Sequence, residues 1–205
     1  MTTIFPLRLA ANADYYAALA RCADAAIDCR APYNKRDKDT HRMEICDTHG
    51  RLRLTVPVSI PGDIPEGRRL RWGDVTVSGH GNWWHVHLTA LESAYGRTPY
   101  FQYLIDRFKP LYTSRYLYER IPLPGLCRAF NDEICAFLGL PVPRYITCDD
   151  EMPPKGQYTY ADIAENTVGE YWQVWAHRYG FMPGLSVLDL IFNLGPEGQM
   201  AVKNY

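Results

Sequence analysis

The chain has almost no imbalance of charge: 22 Lys and Arg stand against 23 Asp and Glu, a formal net charge of −1 over 205 residues. With no surplus of cations to release counterions from a phosphate backbone, broad electrostatic binding to nucleic acid or to an anionic membrane is not expected. No apolar run approaches the roughly 20 residues of a membrane-spanning helix. The amino terminus, MTTIFPLRLAANADYY, lacks a basic segment followed by a long apolar one, so no membrane insertion is expected and a cytoplasmic protein is. The six cysteines, at 22, 29, 46, 127, 135 and 148, form no CxxC pair and no dense cluster, which argues against a zinc ribbon or a disulfide scaffold. Also missing are the GxSxG elbow, the GxxxxGK[ST] phosphate loop, GxGxxG and HExxH. No metal and no cofactor is expected.

What is present is the balance of a globular protein, 47% hydrophobic and 22% charged, and one domain over residues 1–205 is the expectation. Fifteen tyrosines and fifteen prolines suggest loops held down by amphipathic rings, a surface suited to sugar or peptide contact. MTTIFPLRL reads as a strand, DYYAALARCA as a helix and ADAAIDC as a second strand, a β-α-β opening. RMEICDTHGRLRLTVPVSI reads as two strands turning at Thr48-His49-Gly50, PGDIPEGRRLRWG as a connector and VTVS as one more strand. The period becomes helical from Asn82 and stays so to LCRAFNDEICAFLGL, which ends at Gly139 before Pro141. RYITCDD is a late strand and the stretch from Asp150 to Gly169 a long loop. The class is α/β, with α+β as the alternative: a small mixed sheet from the N-terminal part with helices packed on it.

The stretch HGNWWHVHLTALESAY, residues 80–95, holds three of the six histidines. With Asn82 as N-cap, a helix places Trp84, Leu88, Leu91 and Tyr95 on one core stripe, Trp83 and His87 on its flank, and His85 on the opposite side. Helical metal ligands come as i, i+3 or i, i+4 pairs, so the i, i+2 spacing of His85 and His87 weakens a metal reading. His87 is either a core-edge imidazole bonded to a neighbour or a functional group; His80 and His85 read as solvent-facing. In LSVLDLIFNLGPEG, Ser186, Asp189 and Asn193 share one face of an apolar helix. Ser186 with Asp189 resembles a capping box, whereas Asn193 is left over and makes this face a candidate cleft lining.

Two segments, WWHVHLTALESAYGRTPYF from Trp83 to Phe101 and FMPGLSVLDLIFNLGPE from Phe181 to Glu197, resemble the WbqC-like family. The likeness extends loosely to Tyr33-Asn34-Lys35, Arg42, LTVPV at 54–58 and the pair Tyr171 and Gln173, and is nearest to the shorter form found in the Bacteroidetes group. The family's motif carries over at Trp83, His87, Ala94, Tyr95, Pro99, Phe101, Ser186, Asp189, Asn193, Gly195 and Pro196. The chain departs from it in IFPLRLAANADYY, at Thr40-His41-Arg42, at Trp84 and at Gly125-Leu126-Cys127, each time losing polar or charged side chains.

The resemblance implies a transferase on an activated or amino sugar in surface-polysaccharide or O-antigen metabolism, with a small-molecule or sugar-linked substrate as partner. In that reading His87 is a general base or hydrogen-bond donor, Asp189 and Asn193 orient a partner, and Arg42 holds an anionic group. Tyr33, Trp83, Tyr95, Tyr171, Gln173 and Ser186 complete the binding surface, and the reading requires His87, Asp189 and Arg42 to converge. The alternative is a non-catalytic sugar- or protein-binding module that keeps the packing motifs while its reactive positions have eroded. A metal-dependent hydrolase is the third reading.

Overall fold

The computed structural model describes residues 1–62 and 66–203; Asp63, Ile64 and Pro65 of the expected connector lie outside the described residues. The chain opens with β1 (Thr2–Pro6), α1 (Ala13–Ala20) and β2 (Ala25–Asp28), the two strands pairing in parallel. α1 begins where the Asn12 side chain accepts the Tyr15 N–H at 3.0 Å. Asp14 in its first turn accepts the backbone N–H groups of Asn166 and Val168, docking a distant loop on the positive end of the helix. β3 (Arg42–Asp47) and β4 (Gly50–Thr55) form a hairpin across Thr48-His49. Asp47 closes the turn by accepting the His49 N–H at 2.7 Å, and Gly50, at φ +99°, adopts a backbone that a side chain would strain. β5 (Val58–Ser59) and β6 (Thr76–Val77) make a second small antiparallel pair.

The helices α2 (Trp83–Tyr95), α3 (Phe101–Phe108) and α4 (Leu123–Leu138) follow, and α4 stops at Gly139 in the left-handed region, φ +61°. Then come β7 (Arg144–Ile146), β8 (Tyr158–Tyr160), α5 (Ala176–Tyr179), α6 (Val187–Leu194) and α7 (Gly198–Lys203).

The class is α/β, but the sheet is not the N-terminal mixed one the sequence suggests. Its order is β7-β2-β1-β8, all pairings are parallel, and half of its strands come from beyond residue 140. β3 to β6 stand apart as the two antiparallel pairs. β8 lies inside the stretch that reads as loop; it is three residues long on a sheet edge, and its Tyr160 is 68% exposed, so it shows no inward-outward alternation. Phe5, Ile27 and Tyr145 turn one sheet face to the main core, while Ile4, Ala26 and Ile146 meet Met152 and Tyr158 in a thin second cluster.

Every residue of α6 from Val187 to Asn193 is buried, the signature of a helix enclosed on all sides. Phe192 meets the rings of Tyr95, Phe101 and Phe108 at 5.4, 5.0 and 6.0 Å.

α2 spans the residues expected, with its buried stripe rotated. Trp83, His87, Leu91, Ala94 and Tyr95 are buried, whereas Trp84 and Leu88 are half-buried at its edge. The helix turns its Trp83–His87 side inward, where both rings find carbonyl partners: Trp83 Nε1 donates to Ser78 O, just past β6, at 3.1 Å, and His87 bonds Thr55 O at the end of β4. Asn82 sits at the N-cap in the left-handed region, φ 47°, and its side chain caps nothing.

Candidate functional site

Along the sheet the chain runs β1, β2, β7 in one direction, then returns to lay β8 on the far side of β1. The direction of winding therefore reverses between β1 and β8, and open parallel sheets place ligands in the crevice that such a reversal opens at the carboxyl ends of the strands. A cleft of about 360 Å³ lies there. Its walls are the turn after β1, Arg8 to Asn12; Arg42 and Glu44 of β3; Ile163 and Glu165 beyond β8; and Ser186 at the start of α6.

The charges in this cleft are unevenly committed. Arg8 is held by the Asp37 carboxylate at 2.9 Å and by Thr40 at 3.2 Å. Burial would raise the Glu44 carboxyl, but hydrogen bonds from Arg53 at 2.7 Å and Arg51 at 3.0 Å outweigh it and hold the group below its ordinary value. Arg42 donates only Nε, to Thr55 Oγ1 at 2.8 Å. Among the described residues no carboxylate lies within ion-pair reach of its guanidinium, which leaves the bidentate edge free for an anion. Asp39 and Glu165 add exposed carboxylates. Sequence reasoning missed Arg8, Asn12, Asp39, Glu44 and Glu165; the available signal was the loop after the first parallel strand of the β-α-β unit.

Of the residues named from sequence, Arg42 and Ser186 line the cleft. Ser186 Oγ donates to Ala10 O at 2.7 Å and accepts the Leu188 N–H at 3.3 Å, so it caps α6 without any capping box to Asp189. Five others converge elsewhere, in a buried network. The Asp189 carboxylate accepts from Tyr95 Oη at 2.8 Å, Tyr171 Oη at 2.7 Å and Gln173 Nε2 at 3.0 Å. Asn193 donates to Asp189 O at 2.8 Å and accepts the Val174 N–H at 3.0 Å, and Gln173 Oε1 takes the Met182 N–H at 2.8 Å. Burial pushes the Asp189 carboxyl up, against the pull of its three donors, and drives both tyrosines well above their ordinary value. The arrangement ties α2, the 171–174 segment and α6 together.

His87 lies elsewhere again. Its Nε2 stands 3.2 Å from Thr55 O, and since a carbonyl only accepts, that nitrogen carries the proton. Among the described residues Nδ1 is buried without a partner, as is the Tyr112 hydroxyl, whose ring stands 6.0 Å from the imidazole. Burial lowers the His87 pKa to about 4 against the Thr55 hydrogen bond, so the ring is neutral at physiological pH. Thr55 thus joins His87, through its carbonyl, to Arg42, through its hydroxyl. Asp189 is bonded instead to Tyr95, about 12 Å along α2 from His87 at 1.5 Å rise per residue. Tyr33 packs edge-on against Trp72 at 4.6 Å, and Trp83 against His87 at 5.2 Å. Among the described residues no group of three or more His, Cys, Asp and Glu is placed to hold a metal ion. Among them, too, no helix is long and apolar enough to cross a membrane.

Fold and cleft together define an α/β protein with an open crevice at the carboxyl edge of a parallel sheet. The sequence model of the WbqC-like protein family matches residues 12–169, and the chain belongs to that family. The match covers the segment from Trp83 to Phe101 and ends before the one from Phe181 to Glu197. The chain is also similar to the uncharacterised protein Rv1507c of Mycobacterium tuberculosis, 25% identical over 80% of this chain and 81% of that protein. No solved structure matches it.

Proposed function

We propose that the protein is a transferase of surface-polysaccharide sugar metabolism, and that its substrate, an activated or amino sugar, binds in the cleft over β1 and β8. The observation that carries this is the Arg42 guanidinium, fixed by Thr55 and otherwise uncommitted in a crevice of sugar size at the winding reversal. Arg42 takes the anionic group, Asn12 offers a polar edge, and Asp39 and Glu165 are the carboxylates placed to hydrogen-bond hydroxyls or move a proton. His87 acts one step removed, setting the Thr55 carbonyl beside the Arg42 anchor. A reducing, cytoplasmic setting belongs to the same proposal and is supported by six cysteines carried as free thiols.

The test is calorimetric titration with sugar 1-phosphates, amino-sugar phosphates and nucleotide-activated sugars, followed by mass analysis of products. Saturable binding that weakens at least tenfold in Arg42→Ala, with turnover of one donor, is the expected result. No binding by the wild-type protein overturns the reading. Binding without turnover favours the second one, a sugar-binding module, which draws its support from Asp189 and Asn193 being held in buried structural bonds.

A further inference from the structure

A second cavity, of about 400 Å³, opens at the same carboxyl edge of the sheet but over β2 and β7. Cys29 and Thr147, the residues that follow those strands, line it. Its cationic members are Arg68, Arg71 and Arg128, against the single carboxylate of Asp74. The Arg128 guanidinium lies over the Tyr145 ring, 5.3 Å from its centroid, which builds one flat wall of stacked π-surface and charge. Pro122 and Pro124 supply apolar surface beside it.

The arginines are held in place without being used up. Arg71 is oriented by Asp149, at 3.2 and 3.1 Å, and Asp149 is fixed in turn by Arg30 at 2.9 Å. Arg68 is bonded to Asp74. Arg128 is 61% exposed and its nearest carboxylate, Asp132, stands 3.6 Å away. Each guanidinium has five donors, so all three keep free N–H groups. The start of α4 adds no such donors: the Leu123 N–H goes to Val75 O, Pro124 has none, and the Gly125 N–H returns to Pro122 O. Anion selection therefore rests on the arginines.

We propose that this cavity is a binding site for a planar aromatic anion with more than one negative charge, the chemistry of a nucleoside diphosphate. The base stacks on the Arg128–Tyr145 wall and the phosphates meet Arg68 and Arg71. A monocarboxylate would engage one guanidinium and leave the free N–H groups of the others unmet, and a bare inorganic anion would leave the Arg128–Tyr145 wall uncovered. The site stands on its own observations and holds whether or not the cleft over β1 and β8 takes a sugar.

Gly125 provides the test. Gly125 lines the cavity and a Cβ built there meets nothing within 4 Å, so a larger side chain is accommodated at the cavity wall with no clash at its root, at a helical position where Gly is a poor residue. The full chain is titrated calorimetrically with uridine diphosphate, and separately with uridine and inorganic pyrophosphate. The expected result is that the diphosphate binds at least tenfold more tightly than either half. Gly125→Leu removes that binding with the folded circular-dichroism spectrum kept, Arg128→Ala weakens it about tenfold, and Arg42→Ala leaves it unchanged. The proposal is overturned if the wild type binds no nucleotide, if pyrophosphate alone binds as tightly, or if Arg42→Ala abolishes binding while Gly125→Leu keeps it. That last pattern would put the nucleotide in the other cleft and support the reading made there.

Discussion

Ser186 and Asp189 are one helical turn apart on α6, yet they belong to two regions of opposite character. Ser186 borders an open cleft in which Arg42 keeps a free edge and Asp39 and Glu165 are exposed. Asp189, 1% exposed, is closed in by three side-chain donors, and its burial keeps its oxygens out of a ligand's reach. A polar face on an apolar helix can thus serve two purposes within four residues. What decides between them is whether the neighbouring side chains use up the hydrogen-bonding capacity of the group or leave part of it open.

The sharpest way to break this contrast is to remove the closed carboxylate. Asp189→Ala strands Tyr95, Tyr171 and Gln173 donors in the interior, each an unmade buried hydrogen bond of roughly 1–3 kcal/mol. Urea unfolding should show a loss of about 4 kcal/mol, in the range for breaking a buried charged network. Asp189→Asn keeps one carbonyl acceptor and should lose visibly less. A stability change below about 1 kcal/mol in the alanine variant would show that the network is not structural.

His87 gives the next largest effect, and its sign follows from the direction of its shift. The folded-state pKa, about 4, lies below the ordinary 6.5, so its contribution is fully present above pH 6.5 and is lost as pH falls toward 4. At about 1.4 kcal/mol per pKa unit the full loss is about 3 kcal/mol. Wild type should lose that much more stability than His87→Gln between pH 7 and pH 4, and parallel pH profiles for the two proteins would contradict the burial. Ser186→Ala ranks third. It removes a helix cap and leaves Ala10 O without its 2.7 Å donor, so thermal denaturation should report about 1–2 kcal/mol.

Much of the fold was legible in the sequence, and what was not has physical reasons. The β-α-β opening, the hairpin turning at Thr48-His49, α2 over residues 83–95 and the Gly139 stop of α4 all rest on local signals of period, turn chemistry and capping. The convergence of Tyr95, Tyr171, Gln173, Asp189 and Asn193 was not stated in local signals, although each residue had been singled out; only the fold brings Tyr171 within 2.7 Å of Asp189. β8 was invisible because a three-residue edge strand owes its pairing to β1 and not to its own pattern. The cleft was legible only at Arg42 and Ser186, for the same reason: it exists only where the returning β8 sits beside β1.

Arg42→Ala should give the smallest stability change and the clearest reading of the open region. Its one side-chain hydrogen bond among the described residues goes to a hydroxyl, Thr55 Oγ1, and is part-buried, so the fold should lose less than about 1 kcal/mol. A group that contributes little to stability while keeping an unpaired charge beside a cleft has its unused capacity facing solvent. Binding of an anionic sugar should therefore fall at least tenfold in Arg42→Ala, and Arg42→Lys should restore only part of it, because an ammonium supplies the charge without the planar fork. Full rescue by lysine would mean that Arg42 contributes charge alone. If Arg42→Ala instead cost as much stability as Asp189→Ala, both regions would be structural, and the distinction between the open cleft and the closed network would fail.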